Sequence, residues 1–365
     1  MYNFFIFLPL LLLYTVLAVY AERKVSAFIQ DRLGPMEVGR YGLLQTIADL
    51  LKLIQKEDIK PLAVDRKLFL LAPLVIFVAI FAGFAVIPIS AGLPGASAET
   101  GVFYLLAIVS LDVIGILMAG WGSNSKFSLF GAIRSVAQII SYEIPLGLSV
   151  LCVVMVSQSL NLQEISYQQG IWWGDYAQGG SNYLFGIKAL DIETTRIGGF
   201  FTWNIFRVPI FFFAFIIFFI ASLAESNRAP FDLPESESEL VGGYHTEYSG
   251  FRWALIMLSE YAMMLLVSLL AAVLFLGSWN TPLPNIGDLK LAAWTSGRPG
   301  TLASHLWGGF WLFFKAILLV LVQMWVRWTY PRLRVDQLMA LCWKYLVPAS
   351  LLLVMLSGLW RLMMV

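Results

Sequence analysis

Residues 253–278 read WALIMLSEYAMMLLVSLLAAVLFLGS, an apolar run interrupted by a single charged side chain, Glu260. A helix that crosses about 30 Å of hydrocarbon needs roughly 20 such residues. The run is continuously apolar, whereas a barrel strand alternates apolar and polar positions. Lipid offers no partner to a bare backbone N–H or C=O, so the segment is expected to be helical throughout. Similar runs occupy 4–22, 68–89, 101–121, 136–157, 205–225, 307–326 and 340–360, which gives about eight expected transmembrane helices. The composition agrees: 59% of the 365 residues are hydrophobic and 13% are charged, against about 25% charged in soluble domains. A soluble fold could not hide this much apolar surface, because more than half of any folded surface is already apolar. The expectation is an all-α integral membrane protein forming one polytopic domain over 1–365.

Orientation follows from Lys and Arg in the connections. The stretch after the first run carries Arg23, Lys24, Arg32, Arg40, Lys52, Lys56, Lys60, Arg66 and Lys67, and further basic residues follow the third, fifth and seventh runs. The alternate connections hold few, and 90–100 holds none. Both termini are therefore expected on the non-cytoplasmic side, which in a bacterial inner (cytoplasmic) membrane is the periplasm. The first run has no basic residue before it, so it reads as a retained span rather than a signal peptide. Cys152 and Cys342 each lie inside an apolar run without a CxxC partner and read as packing residues, with no metal site expected. The connections 160–204 and 279–306 are long and rich in Gly, Trp and small polar residues, and look like surface elaborations. No inverted repeat is visible, which weakens a stand-alone ion carrier.

In a membrane the informative residues are the ionisable ones at depth. Each disfavours insertion by about 2.5–3.5 kcal/mol at a helix centre. Asp112, Glu143, Glu260 and Lys315 lie well inside their runs, while Glu22 and Glu225 lie at run ends. The alternative reading is snorkelling or a satisfied interhelical hydrogen bond, which suits the two end positions better than the four deep ones. The connection 226–250 concentrates Asp232, Glu235, Glu237, Glu239 and Glu247 against Arg228. Pro230 and Pro234 stiffen it, and Gly242 and Gly243 permit a tight return. Crowded, buried carboxylates raise one another's pKa, so such a cluster can exchange protons near neutral pH. A plain acidic surface loop is the competing reading.

A different device precedes the second run. In GLLQTIADLLKLIQKED (42–58), Leu43, Ile47, Leu50, Leu51 and Ile54 fall on one helical face, with Asp49, Lys52 and Lys56 elsewhere. The stretch is too short and too charged to span, and is expected to lie as a cytoplasmic interfacial helix over 43–57. It reads either as a passive anchor or as one wall of an opening for an amphiphilic, lipid-like molecule, framed by Arg23, Lys24 and Arg32.

Five segments together carry a family resemblance: AERKVSAFIQDRLGP (21–35), the 42–58 stretch, GWGSNSKFSLFGAIRSVAQIISYE (120–143), AESNRAPFDLPESESELVGGYHTEYSG (224–250) and WTYPRLRVDQLM (328–339). In this order they resemble membrane subunit 1, called the H subunit in bacteria, of proton-pumping NADH:quinone oxidoreductase, respiratory complex I. The resemblance implies a subunit without a redox centre that forms the membrane part of a quinone cavity. The quinone, ubiquinone or menaquinone, is the substrate, and flavin and Fe–S clusters belong to partner subunits. The implied partners are the quinone-pocket and Fe–S subunits of a hydrophilic arm, small membrane subunits, antiporter-like subunits and lipids, with no nucleic acid. Carried onto this chain, Glu22, Arg23, Lys24, Arg32, Asp49 and Lys52 would line the quinone portal. Glu143, Glu225, Arg228, Asp232, Glu235, Glu237, Glu239 and Glu247 would begin a proton path, joined by Asp112, Glu260 and Lys315 on the strength of their depth. The chain departs from some relatives at Ser110, where they carry an acid. A membrane-bound hydrogenase or formate-oxidising complex would use an equivalent subunit and is the alternative assembly.

Overall fold

The apolar run that contains Glu260 forms the central helix of the molecule. The structure, a computed structural model, describes residues 2–96, 98–176, 183, 185, 193–233, 241–285 and 289–364. The principal helices are α1 (Tyr2–Ile29), α2 (Gln45–Gln55), α3 (Arg66–Gly83), α4 (Gly101–Val109), α5 (Leu111–Gly122), α6 (Lys126–Ser157), α7 (Leu162–Gln168), α8 (Pro209–Glu225), α9 (Gly250–Leu274), α10 (Leu302–Thr329) and α11 (Val335–Met363). Seven stretches among the described residues are long and apolar enough to cross a membrane: α1, α3, α4 with α5, α6, α9, α10 and α11. The apolar α8 has 17 residues, about 26 Å of rise. The chain is an all-α integral membrane protein.

Helix α9 is the hub, buried along most of its length inside the chain, while α1 and α11 leave most of their residues uncovered. The two outer helices thus present most of their apolar surface to lipid or to other subunits. Close packing inside relies on small residues, as is usual where helices gain nothing from leaving water. At Gly120 a Cβ would stand 2.2 Å from the Ala132 Cβ, so α5 and α6 approach almost to backbone contact.

Several boundaries differ from a hydropathy reading, each for a local reason. The run 101–121 is divided at Ser110, whose hydroxyl donates back to the Ala107 carbonyl at 3.0 Å and competes with the helical ladder. Helix α6 begins at Lys126, ten residues before its apolar run, because Lys126, Ser128 and Arg134 are helical although polar. Helix α8 starts at Pro209, where a missing N–H is harmless, after a separate turn Asn204–Arg207. Helix α11 contains a π-helical stretch, Leu341–Leu346. Beside it, Tyr142 Oη donates to the Leu338 carbonyl at 2.9 Å and Cys342 Sγ to the Ser141 carbonyl at 3.0 Å.

The two long connections are structural rather than ornamental. They meet through Phe200 N–H to Pro282 O at 3.2 Å and Asn285 N–H to Ile197 O at 2.7 Å. Gln169, fully buried, donates to the Val273 carbonyl at the end of α9 and accepts from the Asn204 and Gly277 N–H groups. A polar side chain here satisfies the backbone groups that a helix end leaves open.

Candidate functional site

Two polar pockets lie against α9, and one turn feeds both. Helix α8 ends at Glu225 and the chain reverses through Asn227, which takes a left-handed φ of 49°. The Arg228 N–H reaches the Leu223 carbonyl at 3.1 Å and the Asn227 N–H the Ala224 carbonyl at 3.3 Å, the double bond pattern of a Schellman stop. Gln138 of α6 completes the cap, its amide donating to the Ala224 carbonyl at 2.7 Å and the Phe231 carbonyl at 2.8 Å. This reversal leaves Glu225 and Asn227 facing one pocket and Arg228 facing the other.

The first pocket is a closed cluster, with no room for a water, formed by Glu22, Arg228, Met264, Gln323, Met324 and Arg327. Glu22 is buried at 7% exposure and pairs with Arg327, while the Arg228 Nη1 lies 3.8 Å away. Tyr261 donates to the other Glu22 oxygen at 2.5 Å, and its ring lies 4.4 Å under the Arg228 guanidinium. One carboxylate thus meets two guanidiniums and a phenol in a setting largely removed from water. The Tyr14 hydroxyl is buried with no hydrogen-bond partner among the described residues.

The second pocket, a cavity of about 10 Å³, is lined by Asp112, Glu225, Ser226, Asn227, Tyr244, Ser259, Glu260 and Met263 together with Ile76 and Ile80. That volume is about what one water requires. Asp112 and Glu225 are buried, and Asp112 Oδ1 and Glu225 Oε2 have no hydrogen-bond partner among the described residues. Tyr244 donates to Glu260 Oε1 at 3.1 Å, and His245 Nε2 lies 4.0 Å from the same oxygen. Glu143 is half-buried on α6. The 243–245 turn sits directly on α6: a Cβ at Gly131 would fall 2.8 Å from the Gly243 Cα.

At the surface, Arg23 Nη1 pairs with Asp49 Oδ2 at 2.5 Å, tying α1 to α2. Lys24 reaches the Leu33 carbonyl at 3.1 Å, and Arg32 and Lys52 are exposed. On α2 and just before it, Leu43, Ile47, Leu50, Leu51 and Ile54 are all between 42% and 55% exposed, so the apolar face is open. Arg252 pairs with Asp58 at 2.8 Å beyond α2. Outside the spans, burial pushes the Tyr248 phenol above its ordinary range, against the opposing pull of Arg252. Its hydroxyl donates to the Phe69 carbonyl at 3.2 Å.

The structure regroups the residues selected from the sequence. Glu22 does not stand with Arg23, Lys24, Arg32 and Lys52 at the surface but turns inward to Arg228. Asp112, Glu225 and Glu260 come together around one cavity, and Glu143 is not among the residues that line it. Asp232 is buried and paired with Arg332 at 3.0 Å, and Glu247 is half-buried. Glu235, Glu237 and Glu239 lie outside the described residues. Lys315 is not brought to these carboxylates. It donates to the Ser278 and Asn280 carbonyls at 2.8 and 2.5 Å and lies 4.3 Å over the Trp203 ring, beyond the far end of α9. Tyr261, Arg327, Gln138, Tyr244 and His245 escape a search for buried charge. Arg327 counts only as a loop cation in sequence, and the others are ordinary polar residues until the fold supplies their neighbours.

The NADH dehydrogenase family model matches residues 2–358. The second NADH-quinone oxidoreductase H subunit of Cytophaga hutchinsonii is 62% identical over 97% of this chain and 96% of its own length. The chain belongs to the family of NADH-quinone oxidoreductase H subunits. The H subunit of Chlorobaculum parvum is 51% identical over 94% of this chain and 86% of its own. That of Bacillus mycoides is 44% identical over 98% and 94%. The similarity to these H subunits therefore spans both pockets, α2 and the two long connections.

Proposed function

We propose that this chain is the quinone-access and coupling subunit of a bacterial NADH-quinone oxidoreductase, with no redox centre of its own. A quinone leaves the lipid along the apolar face of α2, passes the Arg23–Asp49 pair and approaches the Glu22 pocket from between α1 and α9. Lys24, Arg32 and Lys52 hold the opening at the membrane surface. Its head group is reduced in the adjoining subunits of the hydrophilic arm, which carry the flavin and Fe–S clusters. The charge change is felt at the Glu225–Arg228 turn. Asp112, Glu143, Glu225 and Glu260 then shift protons or position, with the acidic segment from Asp232 to Glu247 as their supply. The small membrane subunits and antiporter-like subunits receive the event laterally. The protein lies in the inner membrane with both termini in the periplasm.

One observation supports this reading above the others. The two pockets share two elements, since residues 225–228 face both, and α9 places Glu260 and Met263 in one but Met264 in the other, with Tyr261 bonded to Glu22. A change in charge at Glu22 or Arg228 therefore cannot leave the second pocket's electrostatics untouched, because low-dielectric surroundings screen charge poorly. The test is the pair of variants Glu143→Gln and Glu225→Gln in the assembled complex. Both are expected to keep the complex intact while lowering coupled quinone reductase activity or proton pumping by about tenfold or more, toward the range typical for loss of a proton-transfer group. Unchanged activity and proton stoichiometry in both would remove the assignment.

A further inference from the structure

Lys315 stands apart from both pockets, and its contacts are not those of a proton carrier. The residue lies midway along α10 and is buried. Its ammonium donates to the Ser278 and Asn280 carbonyls at 2.8 and 2.5 Å and sits 4.3 Å over the Trp203 ring. Two carbonyls and an indole face can hold an ammonium, but none of the three can take a proton from it near neutral pH.

What these groups share is the exit from α9. Gly277 and Ser278 both take left-handed φ values, 76° and 49°, and curl the chain so that the two carbonyls converge on one point. The curl is itself braced. The Gly277 N–H donates to Gln169 Oε1 at 3.0 Å, and Asn280 Nδ2 donates to the Ser166 carbonyl at 2.9 Å. A Cβ at Gly277 would fall 2.2 Å from Trp203 Cδ1, so the ring under the ammonium is packed on the same turn. A cation is also favoured where a helix ends, because the last carbonyls carry partial negative charge. Lys315 thus fastens the middle of α10 to a fixed point at the end of α9.

Between that point and the Glu22 cluster, α10 buries Ala316, Leu319, Val320 and Met324. Apolar packing between membrane helices is van der Waals contact, which resists separation more than it resists sliding. Buried polar contacts are directional, and fixing register is their best-attested use. Helix α10 has three of them along this side. Lys315 is the first, Gln323 donates to Ser268 Oγ at 3.4 Å, and Arg327 pairs with Glu22. Arg327 follows Lys315 by 12 residues, about 18 Å along the helix. A slip of one turn, about 5.4 Å, would carry Arg327 away from Glu22.

We propose that Lys315 is a positioning residue: by gripping the exit of α9 it sets the register of α10, and through it the meeting of Arg327 with Glu22. Its effect on quinone rests on the access role proposed above for the Glu22 cluster, whereas its effect on register does not.

The experiment uses the whole purified complex carrying Lys315→Met, which removes charge and donors at similar length, or Lys315→Arg, which keeps both. Cryo-electron microscopy of the Lys315→Met complex is expected to show α10 displaced along α9 and Arg327 withdrawn from Glu22. Quinone KM should rise several-fold in Lys315→Met and return most of the way to wild type in Lys315→Arg, with protons pumped per NADH unchanged in both. Lys315→Gln, shorter and uncharged, should give the same displacement and covers the case in which Lys315→Met does not assemble. Arg327 still on Glu22 in the uncharged variants would overturn the proposal. So would fewer protons per NADH at unchanged KM, the result expected of a proton carrier. A displaced Arg327 with unchanged KM would uphold the register and remove the quinone-access role of the Glu22 cluster instead.

Discussion

Glu22 shows how much one side chain's surroundings decide. Its carboxylate faces two guanidiniums and accepts from Tyr261. Removing one partner of a buried charge pair strands the others, a loss of about 3–5 kcal/mol, whereas an exposed pair such as Arg23–Asp49 contributes at most about 1 kcal/mol. Glu22→Gln is therefore expected to lower the temperature at which this chain leaves the complex and to cut quinone reductase activity several-fold. Asp49→Asn should change only the quinone response. Thermal release assayed beside activity separates the two, and a Glu22→Gln complex as stable as wild type would show the pocket to be solvated. Glu225 behaves differently. Since Glu225 Oε2 has no hydrogen-bond partner among the described residues, an amide there disturbs little packing, which is why its loss should be read in proton handling rather than in assembly.

At the scale of elements, the pattern at 43–54 is legible in the sequence because helical periodicity alone places five apolar side chains on one face. Only the fold reveals that this face of α2 is left uncovered by the rest of the chain. If a long-tailed quinone slides along it, the triple change Ile47→Ser, Leu51→Ser, Ile54→Ser should raise KM for a decyl-tailed or longer quinone. It should leave KM for a short-chain analogue close to wild type. Equal effects on both substrates would mean that α2 is an anchor and nothing more. The Schellman stop of α8 is not legible in the same way. Asn227 is one polar residue in a polar stretch, and its role depends on Gln138, 89 positions earlier in the chain, reaching the freed carbonyls.

Across the whole molecule, burial is graded from α9 outward, as expected for a chain that other proteins and lipid complete. The proposed topology, drawn from the distribution of Lys and Arg, puts 42–67 in the cytoplasm and 279–306 outside. Both native cysteines are buried, so an introduced thiol reports without background. Leu62→Cys, at a position 100% exposed, should react with a membrane-impermeant maleimide in inverted vesicles only. Arg298→Cys should react in right-side-out vesicles or spheroplasts only. The opposite labelling would invert the topology and move the proposed quinone opening to the wrong side.

Solvent, helical class and family can all be read from the chain without coordinates, because they rest on unbroken apolar length and on five ordered segments that need no tertiary contact. Asp112, Glu143, Glu225 and Glu260 stand out in the same way, since a carboxylate in an apolar run is conspicuous wherever the run ends up. Nothing in the residue order separates Glu22 from Arg23, or Lys315 from the acids. Neighbouring residues on a helix point about 100° apart, and depth in a span says nothing about which helix stands opposite. Packing around α9 made those choices: it turned Glu22 toward arginines from two other parts of the chain and gave Lys315 to a pair of backbone carbonyls.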